Sequence, residues 1–200
     1  MKTPALSVRV LAAVAALAIT NLQAQNIVYN ATLTGPGESP TNSSPGTGFA
    51  TIIINPTTHV LFVTLFFAGL IGTTTASHIH AATPAPFAGT AGVATTTPTF
   101  AGFPLGVQSG TFTTTLDMTQ SSTWNPAYVS ANGGTLAATE AAFIASAANG
   151  TSYLNIHTSS FPGGEIRGFL VAAPETGATW SLLLFGLAGL ALASRRLRRA

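Results

Sequence analysis

Three histidines have the residue type and spacing for coordination chemistry. His78 and His80 stand two residues apart in a Thr-rich, strand-like run from Thr73 to Ala81. Residues at i and i+2 of a strand share a face, so both imidazoles project to one side, close enough to hold one ion. Imidazole nitrogen suits zinc or copper. His157 lies on the polar face of a second strand-like run, Tyr153 to Thr158, and is the candidate third ligand. The alternative is that all three rings donate to backbone carbonyls and brace the sheet without an ion. His59 sits beside a turn and is expected to face solvent.

Glu165 and Arg167 form the other unusual pattern. Between Gln25 and Ala173 the chain carries one basic residue, Arg167, against Glu38, Asp117, Glu140 and Glu165. Opposite charges at i and i+2 on a strand share a face, so they are expected to pair with each other or with neighbouring strands. The favoured role is structural, the pair locking the last strand into its sheet, with a binding role as the alternative. The remaining basic residues lie at the two chain ends, so the positive charge belongs to membrane topology and there is no basic patch for nucleic acid.

The elements that must position these residues read as strands. Asn26 to Leu33, Phe49 to Ile54, Thr58 to Phe67, Thr73 to Ala81, Gly110 to Leu116, Tyr153 to Thr158 and Glu165 to Leu170 are β-branched or alternate apolar with polar residues. The 49–54 and 58–67 runs pattern as a hairpin. The last two runs, split by Phe161-Pro162-Gly163-Gly164, pattern as another. Thr83 to Gly106 is a long loop with four prolines. Asn125 to Val129 suits one helical turn. Ala138 to Ala148 suits a short helix stopped by Asn149-Gly150, with Phe143 and Ile144 facing the sheet. The expected fold is all-β, a Greek-key β-sandwich or barrel with one short helix before the final hairpin. There is no Cys, which excludes disulfides and thiolate metal sites.

Several of these runs resemble the CHRD domain, found in chordin and in many secreted bacterial proteins. The closing segments are Tyr153-Leu-Asn155-Ile-His157-Thr158 and Gly163-Gly164-Glu165-Ile166-Arg167-Gly168. The opening is Ala31-Thr32-Leu33-Thr34-Gly35 with Glu38 and Pro40. Thr47-Gly48-Phe49-Ala50, Phe67-Ala68-Gly69-Leu70 and Ser77-His78-Ile79-His80 match the middle. Ala81-Ala82 departs from the family's usual Gly after His80. The resemblance covers about Asn26 to Leu170. It implies an extracellular module without one defining chemistry.

The chain ends read as targeting signals. Met1 to Ala24 has Lys2 and Arg9 before the apolar run Val10 to Ile19, and cleavage is expected after Ala24. The domain is then 25–172. Residues 173–200 hold Pro174-Glu175-Thr176, the apolar stretch Trp180 to Ala193 and a terminal Arg cluster. About fourteen apolar residues are short for a span that needs about twenty. This tail resembles a PEP-CTERM sorting signal read by an exosortase-type enzyme, with Thr176 where the family's motif usually has a second Pro. A plain C-terminal membrane anchor is the alternative.

Enzyme readings fare poorly. His-x-His on a β-sandwich resembles copper-zinc superoxide dismutase, but only at that motif. Four histidines are too few for that two-metal site, and its acidic ligand has no counterpart. There is no Gly-x-Ser-x-Gly elbow, and the four carboxylates suggest no acid–base pair. The expected protein is therefore an exported, surface-sorted, non-enzymatic binding or structural module. Expected partners are the processing enzyme and an extracellular polysaccharide or surface protein, with the membrane engaged through the tail before processing. The alternative is a copper- or zinc-binding, redox-active β-sandwich using His78, His80 and His157. No organic cofactor is expected.

Overall fold

The computed structural model describes residues 26–174. Eight strands form one antiparallel, curled sheet: β1 (Ile27–Thr34), β2 (Thr47–Asn55), β3 (Val60–Ala68), β4 (Thr74–His80), β5 (Gly110–Asp117), β6 (Tyr153–Thr158), β7 (Ile166–Phe169) and β8 (Val171–Ala172). The strand order is β4-β6-β7-β1-β2-β3-β5, with β8 also on β1. The expected all-β class holds, with the sheet curled as a half-barrel. Both expected hairpins are present, β2 with β3 and β6 with β7.

The curl follows from alternation. Leu33, Ile52, Ile54, Leu61, Val63, Leu65 and Phe67 point inward and are fully buried, while threonines occupy much of the outer side. The two edge strands approach each other through the segment before β5. Thr74 N–H donates to Val107 O at 2.8 Å, and Gly106 N–H donates to Thr74 O at 2.8 Å. The outer edge of β4 is covered by the 83–106 loop: Ala94 N–H reaches Ile79 O at 2.9 Å and Phe100 N–H reaches Ser77 O at 3.0 Å. An edge covered in this way cannot template pairing with another chain.

Helix lies where the apolar alternation stops. A short 3-10 turn, Ser121–Thr123, precedes α1 (Pro126–Ala131) and α2 (Leu136–Ala148). The α2 helix begins two residues before the sequence reading because Thr135 is its N-cap, accepting from Ala138 N–H at 3.2 Å. Phe143 enters the core and meets Trp124 edge-on at 5.3 Å; Ile144 packs against the core while partly exposed. Glu140 therefore sits in the second turn, where it pairs with His59 at 2.9 Å. Gly150, with φ +68°, ends the helix in a conformation that favours glycine.

The expected signal segment 1–24 lies outside the described residues, as do Glu175, Thr176 and the apolar stretch 180–193; Pro174 is described and exposed. Among the described residues no helix is long and apolar enough to cross a membrane.

Candidate metal centre

Strand pairing puts the three histidines on one face. Opposite His78 on β4 stands Asn155 on β6, opposite His80 stands Tyr153, and opposite Ala76 stands His157. The alternate residues Ile79, Leu154 and Ile156 go to the core. The histidine face is thus the second face of the sheet, and loops cover it. His78 and His80 are buried and His157 is half-buried. One ligand atom from each ring lies within 4.8 Å of the others. The sequence-derived convergence of His78, His80 and His157 is therefore seen in space. His59 stays apart, on the β2–β3 turn.

The tautomers follow from the loop contacts. His78 Nδ1 faces Pro98 O at 3.1 Å, His80 Nδ1 faces Ala91 O at 2.8 Å, and His157 Nδ1 faces Pro162 O at 2.8 Å. A carbonyl only accepts, so each Nδ1 carries the proton and donates it. Each neutral ring then presents a bare Nε2 lone pair. His78 Nε2 and His157 Nε2 stand 2.9 Å apart, and His80 Nε2 has no hydrogen-bond partner although buried. Two lone pairs at that distance repel unless a cation lies between them. Rings fixed through Nδ1 with free Nε2 atoms are the arrangement in which histidine ligates metals.

A proton is a poor candidate for that cation. Burial, followed by the neighbouring His80 and His157, pushes His78 down to about 3. Burial also lowers His80 and His157, against the carbonyl bonds that favour their charged forms. Burial thus disfavours protonation at all three rings. Nitrogens bound to one tetrahedral ion lie about 3.3 Å apart, given metal–nitrogen bonds of about 2.0–2.1 Å. The His78–His157 separation of 2.9 Å is close to that spacing.

A polar layer supports the cluster. Tyr153 stacks on His80, with ring centroids 4.6 Å apart. Arg167 lies over Tyr153 at 4.7 Å and over Phe169 at 5.5 Å. Its guanidinium donates to Gly37 O and to Gly89 O, the latter at 3.0 Å, and stands 3.7 Å from the Glu38 carboxylate. Burial raises Glu38 to about 7, against the lowering effects of Arg167, the Ser39 amide and Asn155. Gly164, with φ +130°, closes this layer tightly: a Cβ there would run into Glu38 Oε1 and approach Asn155 Nδ2 at 3.0 Å.

Glu165 and Arg167 are both buried, but they do not pair with each other. Glu165 precedes β7 and turns to the opposite side. It accepts from Ser44 Oγ at 2.6 Å, Thr158 Oγ1 at 2.6 Å, Gly72 N–H at 3.0 Å and Ile71 N–H. Arg167 takes Glu38 instead. The sequence reading missed the roles of Asn155 and Glu38 in this layer, although both stood within the segments that carried the family resemblance. Isolation of a single arginine among four carboxylates was the available signal that one carboxylate had to be its partner.

The fold is an all-β module with the histidines gathered on the second face of its sheet. The family model for the CHRD domain matches residues 29–170, and the chain belongs to that family. No curated protein and no solved structure matches it.

Proposed function

We propose that this chain is an exported, non-enzymatic CHRD module that binds one transition-metal ion, copper or zinc, through Nε2 of His78, His80 and His157. The carrying observation is that every Nδ1 is tied to a backbone carbonyl while His78 Nε2 and His157 Nε2 meet at 2.9 Å and His80 Nε2 is buried without a partner. Three imidazoles without thiolate or carboxylate suit copper and zinc over the harder magnesium and calcium. Export is supported by the signal-like 1–24 segment, and surface sorting by the tail that starts at Pro174. In that setting the module is displayed at the cell envelope, beside polysaccharide or other surface proteins, after an exosortase-type enzyme has acted on the tail.

Titration calorimetry and elemental analysis of the purified protein with Cu(II) and Zn(II) test the metal reading. One ion per chain is expected. His80→Ala should weaken binding by more than about 100-fold, since loss of a direct ligand exceeds the 10–100-fold effect typical of supporting residues. Equal metal retention by the wild type and the His78/His80/His157 triple alanine variant would overturn the assignment.

A further inference from the structure

Three histidines give an ion three ligands, and among the described residues no Asp, Glu or Cys joins them in the cluster. Four-coordinate sites with three protein ligands keep the fourth position for water or an exogenous group. The polar atoms around this one indicate what fills it. Among the described residues three buried side-chain atoms lack a hydrogen-bond partner: His80 Nε2, Asn155 Oδ1 and Glu38 Oε1. They lie on one face: Asn155 pairs with His78 across β4 and β6, and a Cβ on Gly164 would meet both Glu38 Oε1 and Asn155 Nδ2. Asn155 is 1 % exposed and stands directly opposite His78 in the β4–β6 register, two residues from His157.

An ion satisfies His80 Nε2 but leaves Asn155 Oδ1 without a donor. A carbonyl oxygen accepts only, and burying it unpaired is costly. A water bound to the ion supplies the missing O–H. We propose that the ion held by His78, His80 and His157 carries one exchangeable water, and that Asn155 is the positioning residue whose Oδ1 accepts a hydrogen bond from it. This rests on the metal reading above. Access is available on the side of His157, which is only half-buried. The adjacent charges, Arg167 and Glu38, stand 3.7 Å apart and offset one another, so a small anion can compete for the position.

The test uses the full protein loaded with Cu(II). Electron spin-echo spectroscopy in D2O should show a strongly coupled, exchangeable deuteron, and azide should displace it with a new charge-transfer band. Asn155→Leu removes the acceptor that holds the water. With copper added in excess so that the site is filled, it should bind azide about 3- to 10-fold more tightly, the worth of one neutral hydrogen bond. Asn155→Asp keeps an acceptor and adds negative charge, so it should bind azide more weakly than the wild type. If the leucine variant does not fold, the aspartate variant and the wild-type deuterium signal still decide. Copper bound without an exchangeable deuteron or an azide band would overturn the open position and leave the metal reading intact. An unchanged azide affinity in both variants would remove the role of Asn155. No copper uptake at all would overturn both readings.

Discussion

Glu165→Ala is expected to destabilise the domain by about 4–5 kcal/mol, at the upper end of single-residue effects. The carboxylate is fully buried and ties together three segments that are distant in sequence: Ser44 before β2, Ile71 and Gly72 before β4, and Thr158 at the end of β6. Alanine removes all four bonds and strands two backbone N–H groups in the interior, where each unsatisfied donor costs about 1–3 kcal/mol. The melting temperature should fall by roughly 10–15 °C, at about 2–4 °C per kcal/mol for a domain of this size. A shift below about 3 °C would show that the loops do not depend on this residue.

The same carboxylate sets an acid limit. Burial alone would raise its pKa, but the four hydrogen bonds win and hold it below its ordinary value near 4.5. Its contribution is thus present above that value and lost as pH falls through the folded pKa. His78, lowered to about 3, acts in the same direction, because the unfolded chain takes up that proton first. Glu38, raised to about 7, has the opposite sign: its contribution is lost as pH rises from about 4.5 through 7, and is complete below that window. Below about 4.5 only the destabilising trends remain. The metal-free protein should therefore lose stability steeply between about pH 4.5 and 3. Thermal melts in that window check this, and Glu165→Gln should flatten the curve.

Arg167→Ala is expected to cost about 3–5 kcal/mol, the usual result of removing one partner from a buried ion pair. It leaves Glu38 alone in the interior, frees the carbonyls of Gly37 and Gly89, and removes the cation stacked on Tyr153 and Phe169. A second consequence reaches the histidines. Gly89 lies two residues before Ala91, whose carbonyl fixes His80 Nδ1. Metal affinity should therefore fall about 10-fold in any variant that still folds, the scale of a supporting-residue loss. Arg167→Lys should not restore it, since an ammonium lacks the planar fork that serves two carbonyls and stacks on an aromatic ring. Calorimetry beside thermal melts separates the two effects; full affinity at reduced stability would confine Arg167 to the fold.

What was legible in the sequence was what depends on local period. The strands could be read because their core residues alternate, and His78 with His80 could be read as neighbours because i and i+2 share a face. The pairing of Arg167 could not. Its partner Glu38 lies in the loop after β1, and only the pairing of Thr34 with Arg167 across β1 and β7 brings that loop near. The period rule also misled at Glu165, which lies outside β7, after the turn at Gly164. The supporting carbonyls of Ala91, Pro98 and Pro162 come from loops, where backbone groups leave no mark on residue type.

Burial of the charged residues has an effect at the outer surface. Of the five carboxylates and guanidinium groups among the described residues, Glu38, Glu140, Glu165 and Arg167 are buried, and Asp117 alone faces solvent. The outer surface therefore has almost no exposed charge with which to make ion pairs to another molecule. Contacts it makes with a surface or a polymer should rest on neutral groups and weaken little as ionic strength rises.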